Sequence, residues 1–228
     1  MALISKIDVT YLPITTPETM LDDIDLNTLN QAYQYCIEYK ARSFCTYPSL
    51  IPFIESKNYI TPLCAVVDFP DGTETPEYKI RQAAQAYEIC KKSSSSELDI
   101  VLNPCLSMAI EDLLCLEIAK FYKDIKIKYI LELGVRPNDE IEEILRFFDP
   151  LTVGTSLIHT NYIKTNTGRK NKPSFNEKIK QVEWLRSKTD LPMKIAGGIS
   201  SWNEIEAYER EISGEKIYGV SFDKIKDW

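Results

Sequence analysis

Short apolar, β-branched runs alternate along this chain with longer segments in which apolar residues recur at helical spacing, the pattern that builds parallel sheets from strand–helix units. Eight strands are predicted: Lys6 to Thr10, Arg42 to Thr46, Leu63 to Asp68, Leu98 to Leu102, Ile127 to Leu131, Asn161 to Thr165, Pro192 to Ala196 and Lys216 to Val220. Helical periodicity falls between them, over Leu26 to Tyr39, Ser49 to Lys57, Pro76 to Lys91, Ser107 to Tyr122, Asp139 to Phe148, Phe175 to Lys188 and Trp202 to Ile212. Capping chemistry marks two helix starts: Thr73 and Thr75 flank Glu74 ahead of Pro76, and Ser201-Trp202-Asn203-Glu204 has capping-box spacing. From Asp149 to Thr160, Pro150 interrupts the helical pattern, and the segment reads as a broken helix despite the strand-like Val153-Gly154-Thr155. The expected fold is α/β, a single (β/α)8 TIM barrel over residues 1–228, with only Phe222 to Trp228 left for a shortened C-terminal helix.

Composition fits one such domain. The chain has 228 residues, 44% hydrophobic and 27% charged, enough for one substantial core. Its net charge of −7 includes no polybasic run, which argues against nucleic acid as a partner. No apolar stretch reaches the roughly 18 residues of a membrane span, and Met1 to Lys6 leads into a strand without a signal-peptide core, so a cytoplasmic protein with no membrane partner is expected. Cys36, Cys45, Cys64, Cys90, Cys105 and Cys115 form no C-x-x-C pair and His159 is the one histidine, so spacing suggests neither a metal site nor a disulfide framework.

Lys164 and Lys194 each end an apolar run and each precede a glycine-containing turn, in Tyr162-Ile163-Lys164-Thr165-Asn166-Thr167-Gly168 and Met193-Lys194-Ile195-Ala196-Gly197-Gly198. Their separation is that of one strand–helix unit, so in a closed barrel both lysines emerge at the same end of neighbouring strands. Two like charges about 4 Å apart repel by about 4 kcal/mol at an effective dielectric near 20, which favours the loss of one proton and leaves a carbonyl nucleophile. In Glu97-Leu98-Asp99-Ile100-Val101-Leu102-Asn103, alternation turns Asp99 inward. A carboxylate in a core needs a cation, and the two lysines can supply it. On these residues alone a catalytic group and a structural ion pair that fixes strand register account for Asp99 equally well.

These runs together resemble the deoxyribose-phosphate aldolase family. Ile7-Asp8-Val9-Thr10, Phe44-Cys45-Thr46-Tyr47-Pro48-Ser49-Leu50-Ile51-Pro52 and Val66-Val67-Asp68-Phe69-Pro70-Asp71-Gly72, with Thr75 and Glu77, look like its first three strand motifs, and the likeness extends in order over nearly the whole chain. The resemblance implies a class I aldolase that reversibly splits 2-deoxy-D-ribose 5-phosphate into acetaldehyde and D-glyceraldehyde 3-phosphate, with neither metal nor cofactor. It further implies that Lys164 forms the imine, Lys194 eases the loss of its proton, and Asp99 relays protons, with a water. By the same resemblance Asp8, Thr10, Cys45, Thr165, Gly168, Arg169, Gly197, Gly198, Gly219 and Ser221 are substrate-binding candidates. Gly168, Gly197, Gly198 and Gly219 would offer backbone amides to a phosphate. Asp8 and Thr10 would bond substrate hydroxyls or orient Lys194, and Asp8 could equally cap its strand. Cys45 would flank the pocket, with simple packing as its alternative.

The chain departs from that pattern at the phosphate. Ser200 stands where relatives carry an arginine, and Phe222 replaces the second of two serines, while Arg169 can restore one positive charge. An aldolase of the same mechanism acting on a different or non-phosphorylated aldehyde therefore stays open, as does a non-catalytic sugar-phosphate-binding barrel. Beyond sugar phosphate and aldehydes, the expected partner is a second copy in a homodimer, because a short last helix leaves surface that either Trp228 or a neighbouring subunit would cover.

Overall fold

A computed structural model describes residues 3–13, 26–55, 59–93, 95–118, 125–148, 162–171 and 173–228. Eight parallel strands close into a barrel in sequence order: β1 (Ile7–Tyr11), β2 (Ser43–Thr46), β3 (Leu63–Val67), β4 (Ser96–Val101), β5 (Ile125–Ile130), β6 (Tyr162–Lys164), β7 (Met193–Ala196) and β8 (Lys216–Ser221). All eight predicted strands are present, displaced by one or two residues at their ends. Seven α-helices are described: α1 (Leu26–Tyr39), α2 (Pro76–Cys90), α3 (Leu106–Ile118), α4 (Asn138–Arg146), α5 (Phe175–Arg186), α6 (Trp202–Glu211) and α7 (Phe222–Ile225). Helical residues of one face enter the core; in α1 these are Leu29, Ala32, Tyr33 and Cys36, at intervals of three, four and seven from the first. Among the described residues no helix is long and apolar enough to cross a membrane. The expected broken helix at 149–160, and His159 within it, lie outside the described residues.

Helix ends follow their local chemistry. Thr75 caps α2 by accepting from the Tyr78 amide, with Pro76 at the first position. Ser201 accepts from the Glu204 amide, but the Glu204 carboxylate takes the amide and hydroxyl of Ser200, so half of the expected capping box forms. A full box occurs at α5, where Ser174 and Glu177 bond reciprocally. The helix expected over Ser49 to Lys57 is instead a 3-10 helix, Pro48–Phe53, because Pro52 removes a backbone donor inside the run. α7 has only four residues; Phe222 and Ile225 are buried, and Trp228 packs on Trp202 with ring centroids 5.2 Å apart.

The loops after β3 and β4, which border the C-terminal mouth, are tied together by one buried lysine. Lys79 Nζ donates to the carbonyls of Gly72 at 3.0 Å and Val101 at 3.1 Å, pairs with Asp68 at 3.3 Å, and bonds Asp112, whose carboxylate also accepts from the Asn103 amide. Replacing Lys79 with methionine keeps the stem but leaves two carboxylates and two carbonyls without their donor. The expected loss is about 3–5 kcal/mol in urea unfolding, and a loss below about 1 kcal/mol would show that the loops do not depend on this cation.

Candidate active site

The barrel interior holds charge where an aliphatic layer would ordinarily sit. Asp8 on β1, Glu97 and Asp99 on β4, Lys128 on β5, Lys164 on β6 and Lys194 on β7 all point inward, and Arg42, just before β2, reaches in from below. Parity explains the set: Glu97 and Asp99 share one face of β4, while Leu98 and Ile100 face the helices. Register then brings partners level, since Asp99 lies opposite Lys128, and Lys164 opposite Lys194.

Asp99 is the hub. Its Oδ2 accepts from Lys164 at 2.7 Å and from Lys194 at 2.8 Å, and its Oδ1 from Lys128 at 3.0 Å. Because both catalytic candidates hold one oxygen, their nitrogens are separated by no more than the sum of those two bonds, well inside the roughly 10 Å over which salt screens charges. Lys194 also pairs with Asp8 at 2.7 Å, and Lys128 with Glu97 at 2.7 Å and Asp8 at 3.4 Å. Arg42 closes the lower end with two bonds to Glu97, at 2.6 and 2.9 Å, and one to Asp8.

Burial by itself would raise the Asp99 carboxyl, but Lys128, Lys164 and Lys194 overcome it and hold it well below the ordinary range. Asp8 is likewise depressed against its burial, by Lys194, Lys128 and Arg42. Burial works to discharge Lys194, and Asp8 with Asp99 reverse this, leaving its pKa raised; Lys128 is raised in the same way by Asp99 and its neighbours. The expectation of two lysines simply repelling each other is therefore incomplete. Lys194 is a compensated cation, and three residues that the motifs did not single out, Lys128, Arg42 and Glu97, share the charge balance. The alternation in Ile125-Lys126-Ile127-Lys128 is the signal that could have located Lys128.

Above this layer opens a cavity of about 780 Å³ at the C-terminal mouth. Of the three interior lysines it is lined by Lys164 alone; Lys128 and Lys194 are fully buried beneath. Thr10, Gly168, Arg169, Gly197, Gly198, Gly219 and Ser221 form its wall, as do Phe69, Thr167, Ser200, Asp223 and Lys224, which sequence reasoning did not name as ligands. Phe69 stands beside the amine, its ring centre 5.8 Å from Lys164 Nζ. Glycine is required on the floor: Gly197 has φ +96°, and a Cβ there would lie 2.8 Å from Asn166 Cβ. At Gly219 a Cβ would come within 3.0 Å of Lys194 Cε, so the missing side chain leaves room for the lysine stem.

Three substrate-binding candidates lie off the cavity wall. Asp8 is fully buried and ion-paired with Lys194, Lys128 and Arg42, beneath the cavity lining. The Thr165 hydroxyl ties β6 to β7 by donating to Ala196 O at 2.9 Å and accepting from its amide at 3.0 Å. Cys45 is buried against Cys64, Val66 and Phe69. Its thiol is lowered chiefly by a hydrogen bond with Cys64, whose own thiol burial pushes up. Arg169 donates to Leu12 O from the rim.

The shifted groups set the pH range of the fold. Asp8, Glu97 and Asp99 are depressed below unfolded values of about 3.9 to 4.3, so their stabilisation is complete above that range and is lost progressively as pH falls towards the native values. Lys128 and Lys194 are raised above about 10.4, so theirs persists below that value and is lost as pH rises through the native ones. Urea midpoints should form a plateau between about pH 5 and 10 with a steep acid limb. A midpoint that rises on acidification from pH 5 to 3 would contradict the assignment.

No family model matches the chain. It is 26% identical over 225 residues to a deoxyribose-phosphate aldolase of Dictyoglomus turgidum, covering 96% of this chain and 93% of that protein. It is also 26% identical over 179 residues to one from Treponema denticola, covering 75% and 77%. The fold matches a deoxyribose phosphate aldolase of Aeropyrum pernix, described as a unique tetramer, with a TM-score of 0.66 and 21% identity over 96% of this chain and 86% of that one. An aldolase designated QR15 gives a TM-score of 0.67 at 18% identity, covering 96% and 90%. With curated likenesses spanning most of the chain and a closed eight-stranded barrel shared with solved aldolases, this protein is similar over nearly its whole length to deoxyribose-phosphate aldolases, which are lyases.

Proposed function

We propose that the protein is a Schiff-base aldolase that reversibly cleaves 2-deoxy-D-ribose 5-phosphate into acetaldehyde and D-glyceraldehyde 3-phosphate, with Lys164 as nucleophile. The observation that carries this reading is that Lys164 alone of the interior lysines reaches the mouth cavity while sharing an oxygen of Asp99 with Lys194. Charge counting supports it. Asp8, Glu97 and Asp99 are matched one for one by Arg42, Lys128 and Lys194, so the buried network needs no fourth cation to balance it.

The chemistry follows from those positions. The Lys164 amine adds to the substrate aldehyde, and loss of water leaves an iminium on the barrel axis. Removal of the proton from the 3-hydroxyl breaks the C2–C3 bond, with its electrons flowing into the iminium to give an enamine; the three-carbon aldehyde leaves. Protonation of the enamine carbon and hydrolysis release acetaldehyde and restore the amine. Asp99 Oδ2 is the atom through which a proton passes between Lys164 and Lys194, because both bond to it. With its carboxyl depressed Asp99 is a weak base, so a proton it takes is passed on rather than held. On the cavity wall the amides at Gly168, Gly197, Gly198 and Gly219, with Arg169 and Lys224, favour an anionic group, and Asp223 opposes it. A homo-oligomer is consistent with the tetrameric relative from Aeropyrum pernix.

Borohydride reduction in the presence of acetaldehyde should fix a two-carbon adduct on Lys164, identified by peptide mass spectrometry; an adduct confined to surface lysines removes the mechanism. Lys194→Met should lower kcat by at least about 100-fold with the fold retained, and unchanged turnover at neutral pH would end its role. Arg169→Ala should raise KM for deoxyribose 5-phosphate about tenfold, the equivalent of about 1.4 kcal/mol, while leaving cleavage of unphosphorylated deoxyribose unchanged. Equal activity of the native chain on the two sugars would favour the non-phosphorylated alternative.

A further inference from the structure

Two thiols unused by this mechanism meet beneath the mouth. Cys45 of β2 and Cys64 of β3 are register partners, both fully buried, and with Asp99 they bring two sulfurs and a carboxylate oxygen within 4.8 Å of one another. Cys64 Sγ lies 3.1 Å from Asp99 Oδ1, and Cys45 Sγ 3.8 Å from Asp99 Oδ2. Metal–sulfur bonds of about 2.3 Å and metal–oxygen bonds of about 2.1 Å place the ligand atoms of a tetrahedral site about 3.6 Å apart. The two observed spacings, each to a different oxygen of Asp99, lie on either side of that value, and the three ligand atoms stay within 4.8 Å of one another, so rotation of the carboxylate and the thiols would draw them around one ion.

Charge permits it. The neighbourhood is cationic, with Lys128 Nζ 3.2 Å from Cys64 Sγ and three lysines on Asp99. A divalent ion that displaces one proton from each thiol to solvent leaves the net charge of the cluster unaltered, so the lysines meet no added repulsion. Sulfur ligands select soft or borderline ions, zinc or cadmium, over magnesium or calcium. The pair packs against Leu12, Tyr47 and Phe69, and Phe69 also lines the mouth cavity, so this ring separates the thiols from solvent.

We propose that Cys45, Cys64 and Asp99 form a binding site for a thiophilic divalent cation, whose occupancy draws Asp99 from Lys164 and arrests turnover. The arrest rests on the aldolase reading above; the site does not. Binding needs no oxidant or reductant, since the ion gains two thiolates and one carboxylate and two protons leave.

The full chain with reduced thiols, titrated with cadmium chloride alone, should develop the ultraviolet charge-transfer absorption of cadmium thiolate, saturating at one ion per chain. The exposed Cys105 is controlled by Cys105→Ser, which should keep that absorption. Cys64→Ala should retain metal-free cleavage, lose the absorption and bind cadmium at least roughly 10–100-fold more weakly; Cys64→Ser provides the same test if the alanine variant does not fold. Cleavage by the native chain should fall with cadmium occupancy and return with a chelator, while Cys64→Ala stays active. No absorption in the native chain, or equal absorption in Cys64→Ala, overturns the site. Should the metal-free chain cleave no aldol substrate, the functional reading fails, and the absorption titration still decides the site by itself.

Discussion

A single buried carboxylate organises this barrel. Removed from water, Asp99 would be too costly to keep ionised by itself, and it is ionised because Lys128 and Lys194, joined by the amino group of Lys164, converge on its two oxygens from three different strands. Those cations would be equally costly without their own partners, which is why Asp8, Glu97 and Arg42 form a second layer below. The interior is thus a closed ionic lattice, and loss of any member leaves an uncompensated charge in a medium that cannot solvate it. Strand register and charge pairing enforce each other, since a one-residue slip on β4 would turn Glu97 and Asp99 into the helix layer.

The three interior lysines differ in height within that lattice. Lys194 and Lys128 are sealed and fully paired, whereas Lys164 has one carboxylate partner and a face on the cavity. The same set of groups therefore supplies both an inert scaffold and an accessible amine. Phe69 walls that amine on a loop pinned by Lys79 through Gly72 and Asp68, so a cation remote from the chemistry helps to define the pocket. At the opposite wall the loops after β6 and β7 pack backbone to backbone, and Gly168 and Gly197 permit that approach. Ser200, Asp223, Lys224 and Arg169 line this cavity with groups of both charges.

Much of this was legible in the order of residues. Period-two and helical patterns, glycine turns and two lysines one unit apart specify a parallel barrel and place Lys164, Lys194 and Asp99 inward, because these properties depend on neighbours a few positions away. Among the described residues, boundaries were right to within one or two residues except where Pro52 converted a helix into a 3-10 turn, and at the helix expected to run to Tyr122, which is described to Ile118 with its expected end outside the described residues. Closure decided the remainder. Only the barrel makes Lys128 a partner of Asp99, pairs Asp8 with Lys194, and sets Cys45 against Cys64, since these contacts join side chains of different strands. Sequence determines which face a side chain takes, because alternation is local; which opposite charge or thiol it meets there is fixed by register and curvature around the whole ring, and that is a property of the tertiary structure alone.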